Sequence, residues 1–182
     1  MIEVEVKASA PADIARRIIA IGGIPKVVEN HYDLYFNSPI CDFKRSDEAL
    51  RIRIKEGGAR LTYKGPKLDS TTKSRLELTV RIDDVQQMQE ILLALGFVLS
   101  AQVKKRRSKY LYQDVTIAVD EVEGLGCYVE VEGQGAGDYE QVRQKVVSVM
   151  SQLGLTQSIR SSYLELLEEM RMGLAEAKRV QI

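Results

Sequence analysis

The sequence predicts an α+β fold in which eight antiparallel strands form a β-barrel, a tunnel with a charged lumen, with helices packed on the outside. Three observations carry this reading. Apolar and charged residues alternate without a break in Ile2-Glu3-Val4-Glu5-Val6-Lys7, and the pattern returns in Leu50-Arg51-Ile52-Arg53-Ile54-Lys55, in Arg75-Leu76-Glu77-Leu78 and in Val129-Glu130-Val131-Glu132. Successive side chains of a strand point to opposite faces, so each segment gathers its charges on one side. The helical segments between them are apolar-rich and need the Ile, Leu and Val face to pack on. An antiparallel sheet with one wet face is the plainer account of such alternation. The density of arginine and acid on different strands favours a closed or nearly closed barrel with the charges inside.

The elements follow in order. The first strand ends near Lys7. Ser9 is placed to cap the next helix and Pro11 suits a first helical turn. Ile14, Ile18, Ile19 and Ile21 recur at helical spacing until Gly22-Gly23 stops the helix. An extended stretch runs from about Lys26 to Asn37. Residues 49–56 and 59–65 form a hairpin through Gly57-Gly58, and residues 74–82 another strand. Asp83 or Asp84 caps a helix carrying Val85, Met88, Ile91, Leu92 and Leu95, which ends at Gly96. Strands follow at about 103–112, 114–121 and 127–133, then helices at about 138–153 and 161–179. The stretch from Lys67 to Lys73 is small, polar and charged, and reads as a mobile loop or a plain hairpin connection. A shift of 74 residues lays Ile2-Glu3-Val4 over Leu76-Glu77-Leu78, Val6-Lys7 over Val80-Arg81 and Gly22 over Gly96. That echo predicts two similar sheet-plus-helix halves in one domain spanning 1–182.

With 26 basic and 26 acidic residues the formal net charge is zero, so bulk attraction to nucleic acid or an acidic membrane is not expected. Any anion site must come from local clustering. No apolar run is long enough to span a bilayer, and the strands read as shorter than the roughly 9–11 residues of a membrane barrel. Cys41 and Cys127 lie far apart, outside any Cys-x-x-Cys motif, which fits reduced thiols in a cytoplasmic protein.

Charges inside a barrel are costly unless paired, hydrated or bound to a ligand. Arginine and lysine converging from opposite walls match a polyphosphate. Carboxylates on neighbouring strands match Mg²⁺ or Mn²⁺, hard ions that take oxygen ligands. A metal ion and a triphosphate together would answer both sets.

The motifs also resemble a known family. Glu3-Val4-Glu5-Val6-Lys7 is similar to the Glu-x-Glu-x-Lys signature of the CYTH superfamily, the triphosphate tunnel metalloenzymes. His31-Tyr32-Asp33-Leu34-Tyr35-Phe36 resembles the Asp-x-Tyr-Phe segment of class IV adenylate cyclases of the CyaB type. Leu50-Arg51-Ile52-Arg53 resembles the paired-arginine strand, and Lys105-Arg106-Arg107 the Lys-x-Arg element. The run from Asp120 through Leu125-Gly126 to Glu130-Val131-Glu132 resembles the late acidic element, and Ser162-Tyr163-Leu164-Glu165 the closing helix. The resemblance covers nearly the whole chain. One departure stands out: members often carry an acid two residues beyond the Glu of the Arg-x-Glu strand, and here that residue is Thr79.

The resemblance implies roles. Glu3, Glu5, Glu130 and Glu132 would bind divalent metal. Asp120 is a further candidate acting through water, and Glu3, Glu5, Lys7 and Asp120 would form the catalytic set. Lys7, Arg51, Arg53, Lys64, Arg75, Lys105 and Arg107 would grip phosphate oxygens; Lys105 and Arg107 are chosen by resemblance rather than by alternation. Glu77 is read as orienting its basic neighbours, Phe36 as packing and His31 as structural or exposed. The implied activity is metal-dependent chemistry on ATP or another triphosphate, first as an adenylate cyclase making cyclic AMP and pyrophosphate. The second reading is a triphosphatase acting on inorganic, thiamine or nucleoside triphosphate. The third is a polyphosphate- or nucleotide-binding module without catalysis. The terminal helix, with Leu164, Leu167 and Met170 at helical spacing, is expected to pack on the barrel or to mediate a homodimer.

Overall fold

The computed structural model describes residues 2–68, 75–135 and 139–180; the side chains of residues 2–3, 134–135 and 174–180 fall outside the described set. Most of the 67–73 stretch therefore lies outside the described residues. The elements run β1 (Ile2–Ser9), α1 (Ile14–Ala20), β2 (Ile24–Asn37), β3 (Ala49–Lys55), β4 (Gly58–Lys67), β5 (Arg75–Ile82), α2 (Val85–Ala94), β6 (Val98–Tyr112), β7 (Val115–Val122), β8 (Gly126–Gly135), α3 (Tyr139–Gln152) and α4 (Tyr163–Val180). The strands close in the order β1-β5-β4-β3-β2-β6-β7-β8, and every pairing is antiparallel. The seam between β1 and β5 is the shortest, with two residue pairs, Ile2–Leu76 and Glu3–Arg75.

Three local expectations need correction. Ser9 is the last residue of β1 and caps nothing; α1 starts after Asp13. Strand β6 begins at Val98, five residues earlier than its alternation suggested, because Val98 and Leu99 pair with Asn37 and Phe36 of β2. β2 and β6 accordingly reach 14 and 15 residues, well beyond the short strands expected. Asp84 does cap α2, its Oδ1 accepting from the Gln87 N–H at 2.9 Å. The Gly57-Gly58 turn has φ of 85° and 124°, a backbone that favours glycine and joins β3 to β4.

The 74-residue echo is a structural repeat. It carries Ile24, the start of β2, onto Val98, the start of β6, and Gly22 (φ 96°) onto Gly96 (φ 89°). Equivalent residues face each other where equivalent strands pair, Ile2 with Leu76 between β1 and β5 and His31 with Lys105 between β2 and β6. The first strands exchange places, so that β1 lies on β8 and β5 on β4.

The apolar strand faces point outward. Val4, Val6, Val115, Ile117, Val129 and Val131 are buried under α1 and α3, with Ile18, Val146, Val149 and Met150. Leu34, Phe36, Leu50 and Ile52 form a second core with Leu92 of α2, so Phe36 packs as expected. On β5, Leu76, Leu78 and Val80, the equivalents of Ile2, Val4 and Val6, are exposed. The start of α4 packs over one end of the lumen. Its Tyr163 and Leu167 contact Tyr35, Val103 and Val122, which share strand faces with the charged residues. Met170, further along α4, is exposed. Among the described residues, no helix is long and apolar enough to cross a membrane.

The seat of α3 on β8 depends on Gly133, where an added Cβ would lie 2.7 Å from Val142 Cγ1 and 3.2 Å from Val146 Cγ2. Gly133→Ala should lower unfolding free energy by about 1–3 kcal/mol through overpacking, measured by urea denaturation. Unchanged stability would mean that α3 does not approach β8 this closely.

Candidate functional site

Strand alternation places one charged set around the lumen. A cavity of roughly 550 Å³ opens there, lined among others by Glu5, Arg51, Arg53, Lys64, Arg75 and Glu77, and by Lys105, Arg107, Glu130 and Glu132. Its size suits a small organic ligand.

Glu5 pairs with Glu132 across β1 and β8, and Lys7 with Glu130. Carboxylate oxygens of Glu5, Glu130 and Glu132 come within 4.8 Å of one another. Three hard oxygen donors at this spacing fit Mg²⁺ or Mn²⁺. Glu3 belongs to the same strand, but its side chain lies outside the described residues. The equivalents of Glu5 and its neighbour across the other half are Thr79 and Thr62, whose hydroxyls are 3.0 Å apart. The departure at Thr79 is thus a place where one half of the lumen carries hydroxyls and the other carboxylates.

Arg107 ties the acids together. Its Nε and Nη2 donate to Asp120 Oδ1 and Oδ2 at 2.7 Å each, its Nη1 to Glu132 at 2.7 Å, and Nη2 also to Glu130. Burial opposes its charge, but Glu132 and Glu130 raise its pKa well above the ordinary range. Asp120 is fully buried. It accepts as well from Lys105 Nζ at 2.7 Å and from the Tyr163 hydroxyl at 2.8 Å. Burial acts to raise its pKa, and the Arg107 hydrogen bonds and the Lys105 charge outweigh it. Lys7 is also fully buried. Its Nζ donates to the Ser161 carbonyl and lies 4.1 Å from the centre of the Tyr163 ring. Neither Lys7 nor Asp120 is among the residues lining the cavity. Both are held behind it by the chain entering α4.

On the other wall, Arg53 binds Asp33 through two bonds, Nε to Oδ1 at 2.7 Å and Nη2 to Oδ2 at 2.6 Å, and Arg51 lies 3.7 Å from the same carboxylate. Burial raises the Asp33 pKa and the two arginines press it below the carboxylate range. Lys64 pairs with Glu77, which fits the orienting role read for Glu77. Arg75 reaches the Asp47 carbonyl at 3.2 Å. The sequence motifs assign no role to Asp33, and they do not mark a third group. Glu29 accepts from Lys55 at 2.5 Å and lies 2.7 Å from Lys109. The alternation Glu29-x-His31-x-Asp33 along β2 was the available signal. His31, expected to be structural or exposed, is buried and lines the cavity.

The CYTH domain model matches residues 1–163. The chain belongs to the CYTH family. Over 171 residues it is 34% identical to the Methanocaldococcus jannaschii protein named "Putative adenylate cyclase MJ0240", covering 91% of this chain and 97% of that one. The structure of the PH1819 protein from Pyrococcus horikoshii is similar with a TM-score of 0.84 at 40% identity, covering 92% and 99% of the two chains. A "putative adenylyl cyclase" from Hippeastrum, described as having a dominant triphosphatase activity, is similar in fold with a TM-score of 0.69 at 18% identity, covering 92% and 95%.

Burial, with the adjacent Arg107 charge, lowers the Lys105 pKa to about 8. Lys105 is therefore charged below that pH and neutral above it. Loss of its proton removes a lumen cation, so an anionic probe such as tripolyphosphate should bind the lumen less well as pH rises through about 8. Titration calorimetry across this range should show the decline in the wild type and its disappearance in Lys105→Arg, which keeps the charge. The same decline in both proteins would remove Lys105 as its source.

Proposed function

We propose that this chain is a divalent-metal-dependent enzyme that acts on a triphosphate inside the tunnel. The observation that carries this reading is the facing of a three-carboxylate cluster, Glu5, Glu130 and Glu132, by basic residues from other strands around one cavity. Glu5, Glu130 and Glu132 would hold Mg²⁺ or Mn²⁺, with Glu3 on the same strand as a fourth candidate. Bound there, the ion would supply Lewis-acid activation and neutralise developing charge on phosphate oxygens.

The chain's own residues do the rest. Arg107 is bonded to Glu130 and Glu132 and, through two bonds, to Asp120. A cation taken up by the glutamates would compete with Arg107 for them, while Asp120 would keep its guanidinium in place with N–H groups turned to phosphate. Asp120 and Lys7 thereby act on the substrate by positioning, Asp120 through Arg107 and Lys105, and Lys7 through the segment entering α4. Arg51, Arg53, Lys64 and Arg75 would bind the remaining phosphate oxygens, holding the chain extended and in line for attack. Transfer at phosphorus asks little covalent work of the protein, so positioned charge supplies most of the catalysis.

Two reactions use this arrangement. In the first reading, adenylate cyclisation, the ATP 3′-oxygen attacks the α-phosphorus and pyrophosphate leaves in the grip of the basic residues. The name carried by the Methanocaldococcus relative supports it. In the second, water attacks the terminal phosphorus, its bond to the bridging oxygen breaks, and the diphosphate end leaves as that phosphorus is released as orthophosphate. The triphosphatase activity described for the Hippeastrum protein of similar fold keeps that reading open.

Incubation with Mn²⁺ or Mg²⁺ and either ATP or tripolyphosphate, followed by separation of products, distinguishes them. Cyclic AMP with pyrophosphate supports the first reading and orthophosphate the second; binding without turnover of either contradicts both for these substrates and favours a binding module. Glu130→Gln, which preserves shape and leaves Asp120 on Arg107, should cut metal-dependent turnover by about 100-fold or more. Unaltered turnover would strike Glu130 from the metal set.

A further inference from the structure

His31 is the chain's only histidine. It stands at the centre of the repeat, where β2 and β6 meet and the residue opposite is its own equivalent, Lys105. One half of the lumen places a lysine at this position; the other places an imidazole that is 4% exposed.

The tautomer follows from its neighbours. His31 Nε2 is 3.1 Å from Glu29 Oε2. Burial acts to raise the Glu29 pKa, but hydrogen bonds from Lys109, Lys55 and His31 hold it well below the carboxylate range. An ionised carboxylate only accepts, so Nε2 carries the proton and donates it. Burial, then the Arg53 charge, with Lys105 and Arg107 adding to it, lowers the His31 pKa to about 3. The ring is therefore neutral, and its Nδ1 presents a bare lone pair.

Nδ1 is buried and has no hydrogen-bond partner. The cations around it are already matched with acids: Arg53 with Asp33, Lys105 and Arg107 with Asp120, and Lys55 and Lys109 with Glu29. His31 lines the cavity, and a buried acceptor without a donor is the kind of atom that a ligand completes. Ionised phosphate oxygens cannot complete it, because they too only accept. The donor has to come from the part of the substrate that is not phosphate.

We propose that His31 Nδ1 accepts a hydrogen bond from a neutral hydroxyl or amine on the organic part of a triphosphate substrate. It thereby selects an organic triphosphate, such as a nucleoside triphosphate, over inorganic tripolyphosphate. The inference rests on the triphosphate reading of the tunnel and adds to it a specificity residue at its middle. A site built to meet a substrate donor discriminates against a ligand that lacks one.

Calorimetric titration of ATP and of tripolyphosphate, in Ca²⁺ buffer to suppress turnover, tests it with three variants. The amide of asparagine can place an oxygen where Nδ1 lies; that of glutamine reaches toward the Nε2 position instead. His31→Leu and His31→Gln should weaken ATP binding roughly three- to tenfold, the worth of one neutral hydrogen bond. Tripolyphosphate binding should change less than about twofold, and His31→Asn should keep the wild-type preference. The pair of amide variants carries the comparison should His31→Leu fail to fold. With 2′-deoxy-ATP or 3′-deoxy-ATP, disappearance of the His31 effect identifies a sugar hydroxyl as the donor, and persistence with both identifies the base amine. Equal weakening of both ligands, or of neither, overturns the assignment of His31 alone. A wild-type chain that binds neither ligand overturns the triphosphate reading and this inference with it.

Discussion

Arg107 is the residue on which the lumen depends. A guanidinium 4% exposed keeps its charge and would be costly in a protein interior unless acids surrounded it, and here Asp120, Glu130 and Glu132 from β7 and β8 do so. The dependence runs both ways. Without Arg107, two glutamates and an aspartate would crowd the same space, each made costlier by the others. This mutual compensation lets strands that are apolar outside be ionic inside. It also leaves the glutamates with a partner that another cation can replace, while the two bonds to Asp120 stay made.

The repeat explains why the two walls differ. Position 33 in one half and its equivalent 107 in the other hold opposite charges, Asp33 gripping Arg53 and Arg107 gripping Asp120. The same two-bond pairing is thus built twice with its polarity reversed. Around Arg107 the surplus is acidic, with Glu5, Glu130 and Glu132; around Asp33 it is basic, with Arg51 and Arg53. A barrel made of two like halves becomes a tunnel with one wall suited to cations and another suited to anions. Lys105 and His31 meet where the two walls join.

Much of this was legible because strand periodicity is a local property. Val4 and Val6 against Glu5 and Lys7, or Ile52 against Arg51 and Arg53, state their faces within a few residues. Glycine at 57, 58 and 96 marked turns correctly because each needs positive φ. The start of β6 was not legible, since Val98 to Gln102 lacks alternation and is made a strand by pairing with β2 far away in sequence. The fate of Lys7 and Asp120 was hidden for a similar reason. Both are sequestered by Ser161 and Tyr163, which arrive from the far end of the chain. The Glu29–Lys55–Lys109 group shares the parity of the residues that were chosen, but no single motif marked it.

The central claim is that the two walls act together, the acids taking a cation and the bases a polyphosphate. Titration of the wild-type protein with tripolyphosphate, with and without Mn²⁺, measures this coupling directly. The account predicts one binding site per chain and a clear gain in affinity when Mn²⁺ is present at saturation, with the reciprocal gain in Mn²⁺ affinity that linkage requires. Affinity for tripolyphosphate that is the same with and without the ion, or absent in both, would contradict it.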